Sequence, residues 1–184
     1  MTTLTHTAAE RSTHARTLGE MFRRSADRPA DPAAGWPGAD APALRWKEAG
    51  RWVDMSHREL GVRAQRIARG LIALGIERGD RVAILANTRP EWTIADAGVM
   101  CAGAATAPIY HTNSPEECEY VLSHSGSRLV FCEDPEQLTK VMRVRHRCPE
   151  LEHFVVLTGE DRDAMSIDEL CAAGDDVEPD AVDR

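Results

Sequence analysis

Apolar residues repeat along most of the chain with the periods of alternating helices and strands. The clearest pattern spans His57 to Leu74, where apolar side chains recur every three or four residues and predict one buried helical face. Ser56 and Glu59 form a capping box at its start, and Gly75 occupies the position of a left-handed C-terminal cap. The apolar stripe consists of Leu60, Ala64, Ile67, Ala68, Leu71 and Ile72.

Short apolar runs and helix-length segments alternate after this helix. The predicted strands are Asp80–Ala86, Ala105–Tyr110, Arg128–Cys132 and Phe154–Leu157. The predicted helices are Pro90–Ala102, Ser114 to about Gly126, Asp134 to about Arg147, and a short helix beginning at Ser166–Glu169. Strands separated by helices imply right-handed crossovers, so we expect an α/β fold with a mainly parallel sheet and flanking helices. The pattern leaves the strand order open.

A short β-hairpin is predicted before this alternating region. Its strands are Ala43–Lys47 and Arg51–Met55, with a turn at Glu48–Gly50. A helix from Thr17 to about Asp27, with Leu18, Met21 and Phe22 on one face, and a proline-rich loop from Arg28 to Pro42 precede it. We therefore expect a flexible leader over 1–16, a folded unit over 17–172 and a disordered acidic tail over 173–184.

Charge and hydropathy restrict the possible partners. The net charge of the 184 residues is -8, which argues against nucleic-acid binding because phosphate contacts need clustered Lys and Arg. Arg63, Arg66 and Arg69 share a helical spacing, and we interpret them as a solvated face. The most apolar stretch, Ala97–Tyr110, is too short for a transmembrane segment. We expect a cytoplasmic protein and leave peripheral membrane contact open.

The cysteines do not have the spacing of a metal or redox motif. There are five of them, Cys101, Cys118, Cys132, Cys148 and Cys171, and no CxxC pair occurs. Reduced core thiols are the favoured interpretation. His111, Cys118, His124 and Cys132 interleave in the sequence, but a metal site would require these four segments to converge.

Nucleotide-binding and nucleophile motifs are incomplete in this sequence. Gly98 and Gly103 have the spacing of a phosphate-binding loop, but Ala104 and Ala105 follow where Lys and Ser or Thr are required. Close packing explains these glycines better. Neither GxGxxG nor GxSxG occurs, and Ser125 lies in a helix-ending turn without an evident base.

The remaining candidate side chains have simpler structural explanations. Glu116, Glu117 and Glu119 lie at a helix start, where the helix dipole favours negative charge, although acid–base work is the alternative. Trp92 and Tyr110 are more typical of core or interface positions than of ligand platforms. The residues alone thus indicate no catalytic, cofactor-binding or metal-binding site.

Several segments in a fixed order resemble AMP-forming adenylating enzymes. RWVDMSHREL and GIERGDRVAILANTRPEW resemble the first part of that family, and the stretch from Ile94 to Asp134 resembles its long-chain fatty acyl-CoA synthetase branch. PELEHFVVLTG is also similar, so the resemblance covers about residues 17–172. The characteristic positions are Gly79 to Ala83, Asn87, Pro90 to Trp92, Pro108 to Tyr110 and Thr112 to Ser114.

The resemblance implies a reaction and a place in the enzyme. ATP, Mg²⁺, a fatty acid and CoA would give acyl-CoA, AMP and pyrophosphate through an acyl-adenylate. This region would form part of the N-terminal domain, where Gly79, Pro90 and Pro115 have scaffold roles. The family's phosphate-binding loop and C-terminal lysine are expected beyond the acidic tail, so the resemblance implies an N-terminal fragment that is inactive alone. His111 stands where the family usually has proline, which leaves the substrate preference open.

Two other interpretations remain at this point. The chain could be a non-catalytic interaction or regulatory module that pairs with a full-length synthetase. It could also be an unrelated doubly wound small-molecule binder, although the glycine-rich loops of such proteins do not occur here. A partial sheet would expose an apolar edge, so self-association or pairing with a missing half is expected.

Sequencing of the DNA beyond the codon for Arg184, read in all three frames, tests the fragment interpretation. We expect a Ser-, Thr- and Gly-rich loop followed by an adenylating-enzyme C-terminal domain. If neither occurs in any frame, the regulatory interpretation replaces it.

Overall fold

The structure, a computed structural model, describes residues 15–183. The α-helices in this range are α1 (Leu18–Asp27), α2 (His57–Ala73), α3 (Pro90–Cys101), α4 (Pro115–Ser125), α5 (Pro135–Val144) and α6 (Ile167–Ala173). The strands are β1 (Pro42–Glu48), β2 (Arg51–Ser56), β3 (Arg81–Leu85), β4 (Ala105–Ile109), β5 (Leu129–Cys132), β6 (His153–Val156) and β7 (Met165–Ser166). Short 3-10 helices are Pro32–Ala34, Arg145–Arg147 and Pro179–Asp183.

The described strands form a hairpin and a five-stranded sheet. The sheet has the order β4-β3-β5-β6-β7, and each neighbouring pair is parallel. Ala83 in β3 pairs with Ala107 on one side and with Val130 on the other. The expected α/β fold with a mainly parallel sheet and a preceding hairpin is confirmed. The order, which the sequence left open, places β3 between β4 and β5.

Helices cover both faces of this sheet. Val82 and Ile84 point into a core shared with α1, α2, α3 and α6, whereas Ala83 and Leu85 point into a second core shared with α4 and α5. All four side chains are fully buried. Burial on both faces explains why this strand is a continuous apolar run in the sequence.

The hairpin presents two different faces. Leu44 and Met55 are paired across the strands and face the first core, with Trp46 packed beside them. On the outer face Arg45 donates two hydrogen bonds to the Asp54 carboxylate, at 2.6 and 2.8 Å. The hairpin is therefore held to the α/β unit by one apolar face.

Local capping signals set the helix boundaries as the sequence predicts. The Ser56–Glu59 capping box is present at the start of α2, and Ser114–Glu117 and Ser166–Glu169 repeat it at α4 and α6. Gly75 follows α2 with a φ of 79°, a left-handed conformation that favours glycine.

Helix α1 contacts the core through a different face from the predicted one. Leu18 and Met21 are 55% and 44% exposed, while Gly19 and Ala26 are buried. A Cβ at Gly19 would overlap the backbone of Met100, so the small residues allow close approach of α1 and α3. Only Phe22 of the predicted apolar face packs against the core.

The ends of the chain also depart from the sequence-based expectations. The expected disordered tail contains the 3-10 helix Pro179–Asp183, in which Val182 is 9% exposed and belongs to the first core. One valine among acidic residues gives no periodic signal, but α2 offers it an apolar contact. The two-residue strand β7 was not predicted, and it is too short to show alternation. Residues 1–14 of the expected leader lie outside the described range.

Gly98 allows the close packing of α2 and α3. A Cβ at this position would lie 2.5 Å from Ile67 Cγ2 and 2.7 Å from Ile67 Cβ. The interpretation of Gly98 as a packing residue is confirmed. Gly103 has a φ of 78° in the turn before β4, so glycine is favoured there by its backbone conformation.

Gly98→Ala tests this helix contact. We expect the free energy of unfolding to fall by about 1–3 kcal/mol, because overpacking against Ile67 outweighs the higher helix propensity of alanine. Urea unfolding of the 184-residue chain measures the difference.

Ser123→Ala, on the exposed surface of α4, is the matched control and should change stability little. In a double-mutant cycle, Ile67→Ala should lessen the penalty of Gly98→Ala because it removes the clashing methyl group. A stabilised Gly98→Ala variant would contradict the packing interpretation.

Candidate functional site

The carboxyl ends of β3 and β5 meet at the point where the sheet changes winding direction. From β3 the chain passes through α3 to β4 on one side, and from β5 it passes through α5 to β6 on the other. Helices α3 and α5 pack on opposite faces of the sheet. Open α/β sheets bind ligands in the crevice between such strands, so this position is the candidate functional site.

An open cleft of about 380 Å³ lies at this position. The hairpin forms one wall, the loop between β3 and α3 forms another, and the residue after β5 closes the base. The lining residues are Trp46, Lys47, Glu48, Asn87, Thr88, Arg89, Pro90, Glu91 and Glu133.

Glu133 connects three strand ends at the base of the cleft. Its backbone N–H donates to Leu85 O at 2.9 Å, and its backbone oxygen accepts from the N–H and Oγ1 of Thr158 at 3.0 and 2.8 Å. Its carboxylate accepts from the Asn87 backbone N–H at 2.8 Å and from Arg89 Nη1 at 3.1 Å. One residue therefore fixes the positions of the loops that follow β3, β5 and β6.

Arg89 neutralises the carboxylates of this cleft. Its Nε donates to Glu91 Oε2 at 2.7 Å while its Nη1 holds Glu133. The hydrogen bond to Glu91 raises the pKa of Arg89. Burial alone would raise the pKa of Glu91, but the Arg89 hydrogen bond and positive charge bring that pKa below its ordinary value of 4.5. Glu91 is therefore ionised and paired at neutral pH, which suits a structural lock better than proton transfer.

Lys140 fixes the neighbouring loop after β4. Its Nζ donates to the backbone oxygens of His111 and Asn113 at 2.7 and 3.2 Å. Tyr110, in the same loop, is 79% exposed and so is not a core residue. Trp92 differs, because it packs against the first core as expected.

The four interleaved His and Cys residues have separate structural environments. Cys118 and Cys132 are fully buried in the second core, and burial raises the pKa of both thiols. His124 is exposed and stacks on Tyr120 with ring centroids 5.5 Å apart. Within residues 15–183, no group of three or more His, Cys, Asp or Glu side chains has the arrangement of a metal site.

The acidic helix start and Ser125 serve local structure. Glu117 accepts from the Ser114 N–H at 2.8 Å in a capping box, and Glu119 pairs with Arg147 at 2.7 Å. Ser125 Oγ lies 2.7 Å from the Ser127 hydroxyl and 3.3 Å from Leu122 O. The Ser114 and Ser125 contacts are local to the two ends of α4, and the Glu119–Arg147 pair joins α4 to the 3-10 helix Arg145–Arg147.

The cleft residues were not identified from the sequence as a site. Glu133 directly follows a buried strand, and a polar residue at such a position is a sequence signal for a site. Its role in the cleft nevertheless depends on β5 lying next to β3. Arg89 and Glu133 are 44 residues apart, so their pairing depends on that same neighbour relation.

Arg89→Gln should reduce the free energy of unfolding at pH 7 by about 1–3 kcal/mol, because it leaves a carboxylate at the cleft base without its charged partner. Glu133 is only 16% exposed there. The pKa of folded Glu91 lies below 4.5, so its contribution is complete above pH 4.5 and disappears as the pH falls through the lowered value. Urea unfolding at pH 7 and at about pH 3 should show a smaller difference in acid.

Arg66→Gln, at an exposed position of α2, is the control for loss of an arginine. An Arg89 penalty that is equal at both pH values would contradict the assigned ion pair.

Comparison with known proteins shows which family this chain belongs to. The family model described as AMP-binding enzyme matches residues 30–183. The chain is 36% identical over 130 residues to the long-chain-fatty-acid–CoA ligase FadD15 of Mycobacterium bovis, covering 71% of this chain and 21% of that protein. It is 28% identical over 172 residues to the long-chain-fatty-acid–CoA ligase ACSBG1 of Bos taurus. That match covers 91% of this chain and 22% of the relative. The chain thus spans about a fifth of the length of these relatives.

Solved structures have the same fold. An anthranilate CoA ligase, AuaEII, in complex with anthranoyl-AMP superposes with a TM-score of 0.68 at 24% identity, covering 85% of this chain and 27% of that one. A putative long-chain-fatty-acid CoA ligase from Rhodopseudomonas palustris gives a TM-score of 0.68 at 25% identity. That match covers 86% of this chain and 37% of the ligase chain. The family match extends over most of the chain, and the chain accordingly belongs to the AMP-binding enzyme family.

Proposed function

We propose that this chain is the scaffold part of a long-chain fatty acid–CoA ligase that converts ATP, a fatty acid and CoA to acyl-CoA, AMP and pyrophosphate. The observation that carries the proposal is the 36% identity over 130 residues to a long-chain-fatty-acid–CoA ligase. The parallel sheet, which superposes on CoA ligases, supports the same assignment.

The described residues do not fit ATP or Mg²⁺. A phosphate chain needs available N–H groups and positive charge, but Glu133 already occupies the Asn87 N–H and Arg89. A divalent cation needs carboxylates that are not already paired, whereas Arg89 holds both Glu91 and Glu133. No step of the reaction is therefore assigned to residues of this cleft.

The chain's own contribution is to position loops for the rest of the ligase. Glu133, Arg89 and Lys140 fix the loops that follow β3, β4, β5 and β6, at the carboxyl ends of these strands. We propose that the isolated chain forms no acyl-CoA, because its residues supply this frame and not the reacting groups.

A reducing, cytoplasmic location fits the cysteines. All five thiols are buried, and burial raises the pKa of Cys118, Cys132, Cys148 and Cys171. Across residues 15–183, no helix has the length and apolar content needed to cross a bilayer.

A chimera tests the proposed function. The matched 130-residue region of the Mycobacterium bovis FadD15 ligase is replaced by the corresponding part of this chain. We expect the chimera to form palmitoyl-CoA with ATP, Mg²⁺ and CoA, and the isolated 184-residue chain to form none. Product is measured by mass spectrometry and AMP release by a coupled assay.

The same chimera carrying Gly98→Val is the matched control, since it disturbs the α2–α3 contact and should lose activity together with thermal stability. A folded chimera that activates anthranilate but not palmitate would overturn the fatty-acid assignment. Acyl-CoA formation by the isolated chain would overturn its proposed role as a scaffold.

A further inference from the structure

The outer edge of β4 is bordered by no other strand within residues 15–183. Strand β4 is the first in the order β4-β3-β5-β6-β7, so in this range it pairs on one side alone, with β3. We propose that Pro108 closes this edge to strand addition and so prevents the sheet from extending into a second copy of the chain. The inference concerns association alone and holds whether or not the proposed ligase reaction is correct.

The register of β3 and β4 shows which backbone groups point away from the sheet. The Ala105 N–H donates to Asp80 O at 2.8 Å, so the backbone groups of Ala105 face β3. The N–H groups of a paired strand face alternately toward and away from a neighbouring strand, so Ala107 also faces β3. Thr106 and Pro108 are then the outward-facing positions of β4, and Pro108 is exposed. The proline therefore lies where an added strand would require a donor.

Proline supplies no N–H at this outward position. The outer edge of β4 offers one donor, the Thr106 N–H, and two acceptors, the carbonyl oxygens of Thr106 and Pro108. Two copies that paired their β4 edges about a two-fold axis at Ala107 would place Thr106 of one copy opposite Pro108 of the other. Residues paired in this way exchange two hydrogen bonds, and each of these pairs would lose one of them. Proline is accordingly found in strands whose N–H side faces solvent.

The composition of β4 explains why its edge needs such protection. No charged residue occurs between Ala97 and Tyr110, so β4 itself contains none of the charged side chains that commonly repel an added strand. The Thr106 side chain is held toward α3, because its Oγ1 donates to Asp96 Oδ1 at 2.6 Å. An uncharged edge of this kind would be open to pairing if residue 108 carried an N–H.

A closed β4 edge limits how another copy of the chain can bind to it. Main-chain pairing is opposed at β4, so association has to use contacts between side chains. Exposed apolar side chains elsewhere, such as Leu18 and Met21 on α1, are unaffected by this closure. The expected self-association would therefore take place at a surface other than the β4 edge.

Amide hydrogen exchange by NMR and sedimentation velocity of the 184-residue chain test the proposal. In the dilute wild-type chain the Thr106 amide should exchange faster than those of Ala105 and Ala107, which face β3. Pro108→Val restores the missing donor with a residue that favours strands. At about 100 µM it should lower the dissociation constant for self-association at least about ten-fold, and the Thr106 amide should then exchange slowly.

Two variants separate edge pairing from a general loss of stability. Pro149→Val makes the same substitution at an exposed proline outside the described strands and should leave association unchanged. Thr106→Pro combined with Pro108→Val moves the proline to the other outward position, so this double variant should associate as weakly as the wild-type chain. Circular dichroism and urea unfolding verify that each variant retains its fold.

The proposal is overturned if Pro108→Val associates no more strongly than the wild-type chain, or if Pro149→Val gains as much. It is also overturned if the double variant associates as strongly as Pro108→Val, because the pairing would then not involve the β4 edge. Slow exchange of the Thr106 amide in the dilute wild-type chain would overturn it too, whether or not any variant folds, because this edge would already be covered. None of these readouts depends on acyl-CoA formation.

Discussion

Burial of β3 and β5 on both faces is the constraint on which the rest of this structure depends. A parallel strand in the middle of a sheet must be apolar on both sides, so helices have to cover both surfaces. The chain meets this requirement with two cores, one on either side of Val82 and Ala83. The glycine contact of Gly98 with Ile67 then allows α2 and α3 to pack closely over the first core.

The same winding that buries the central strands creates the crevice at their carboxyl ends. Glu133 places its carboxylate at the base of this crevice, and Arg89 compensates the charge. An anion-binding geometry is thus used internally, to hold loops together. The Asn87 N–H and the Arg89 guanidinium are therefore already paired within the crevice.

The α/β unit and the hairpin are stabilised by different contacts. Buried thiols, helix caps and the ion pairs of Arg89 stabilise the α/β unit. The hairpin is attached through one apolar face, and Trp52 on its other face is exposed. A two-stranded hairpin is weakly stable alone, so its packing through Trp46 and Met55 is what allows an exposed aromatic residue to be presented. Trp46 and Lys47 of the hairpin also line the cleft, so the attachment of the hairpin positions one wall of the cleft.

The sequence by itself determined the α-helices of residues 15–183, the strands β1 to β6 and the parallel character of the sheet, because capping boxes and apolar periods act over a few residues. It also identified the packing role of Gly98. Only the tertiary structure decided the strand order, the inward face of α1 and the contact of Val182 with the core. The meeting of Arg89 with Glu133 belongs to this second group. These features depend on which surfaces meet between segments that are distant in the chain, as in the 44 residues that separate Arg89 from Glu133, and local propensity contains no information about such encounters.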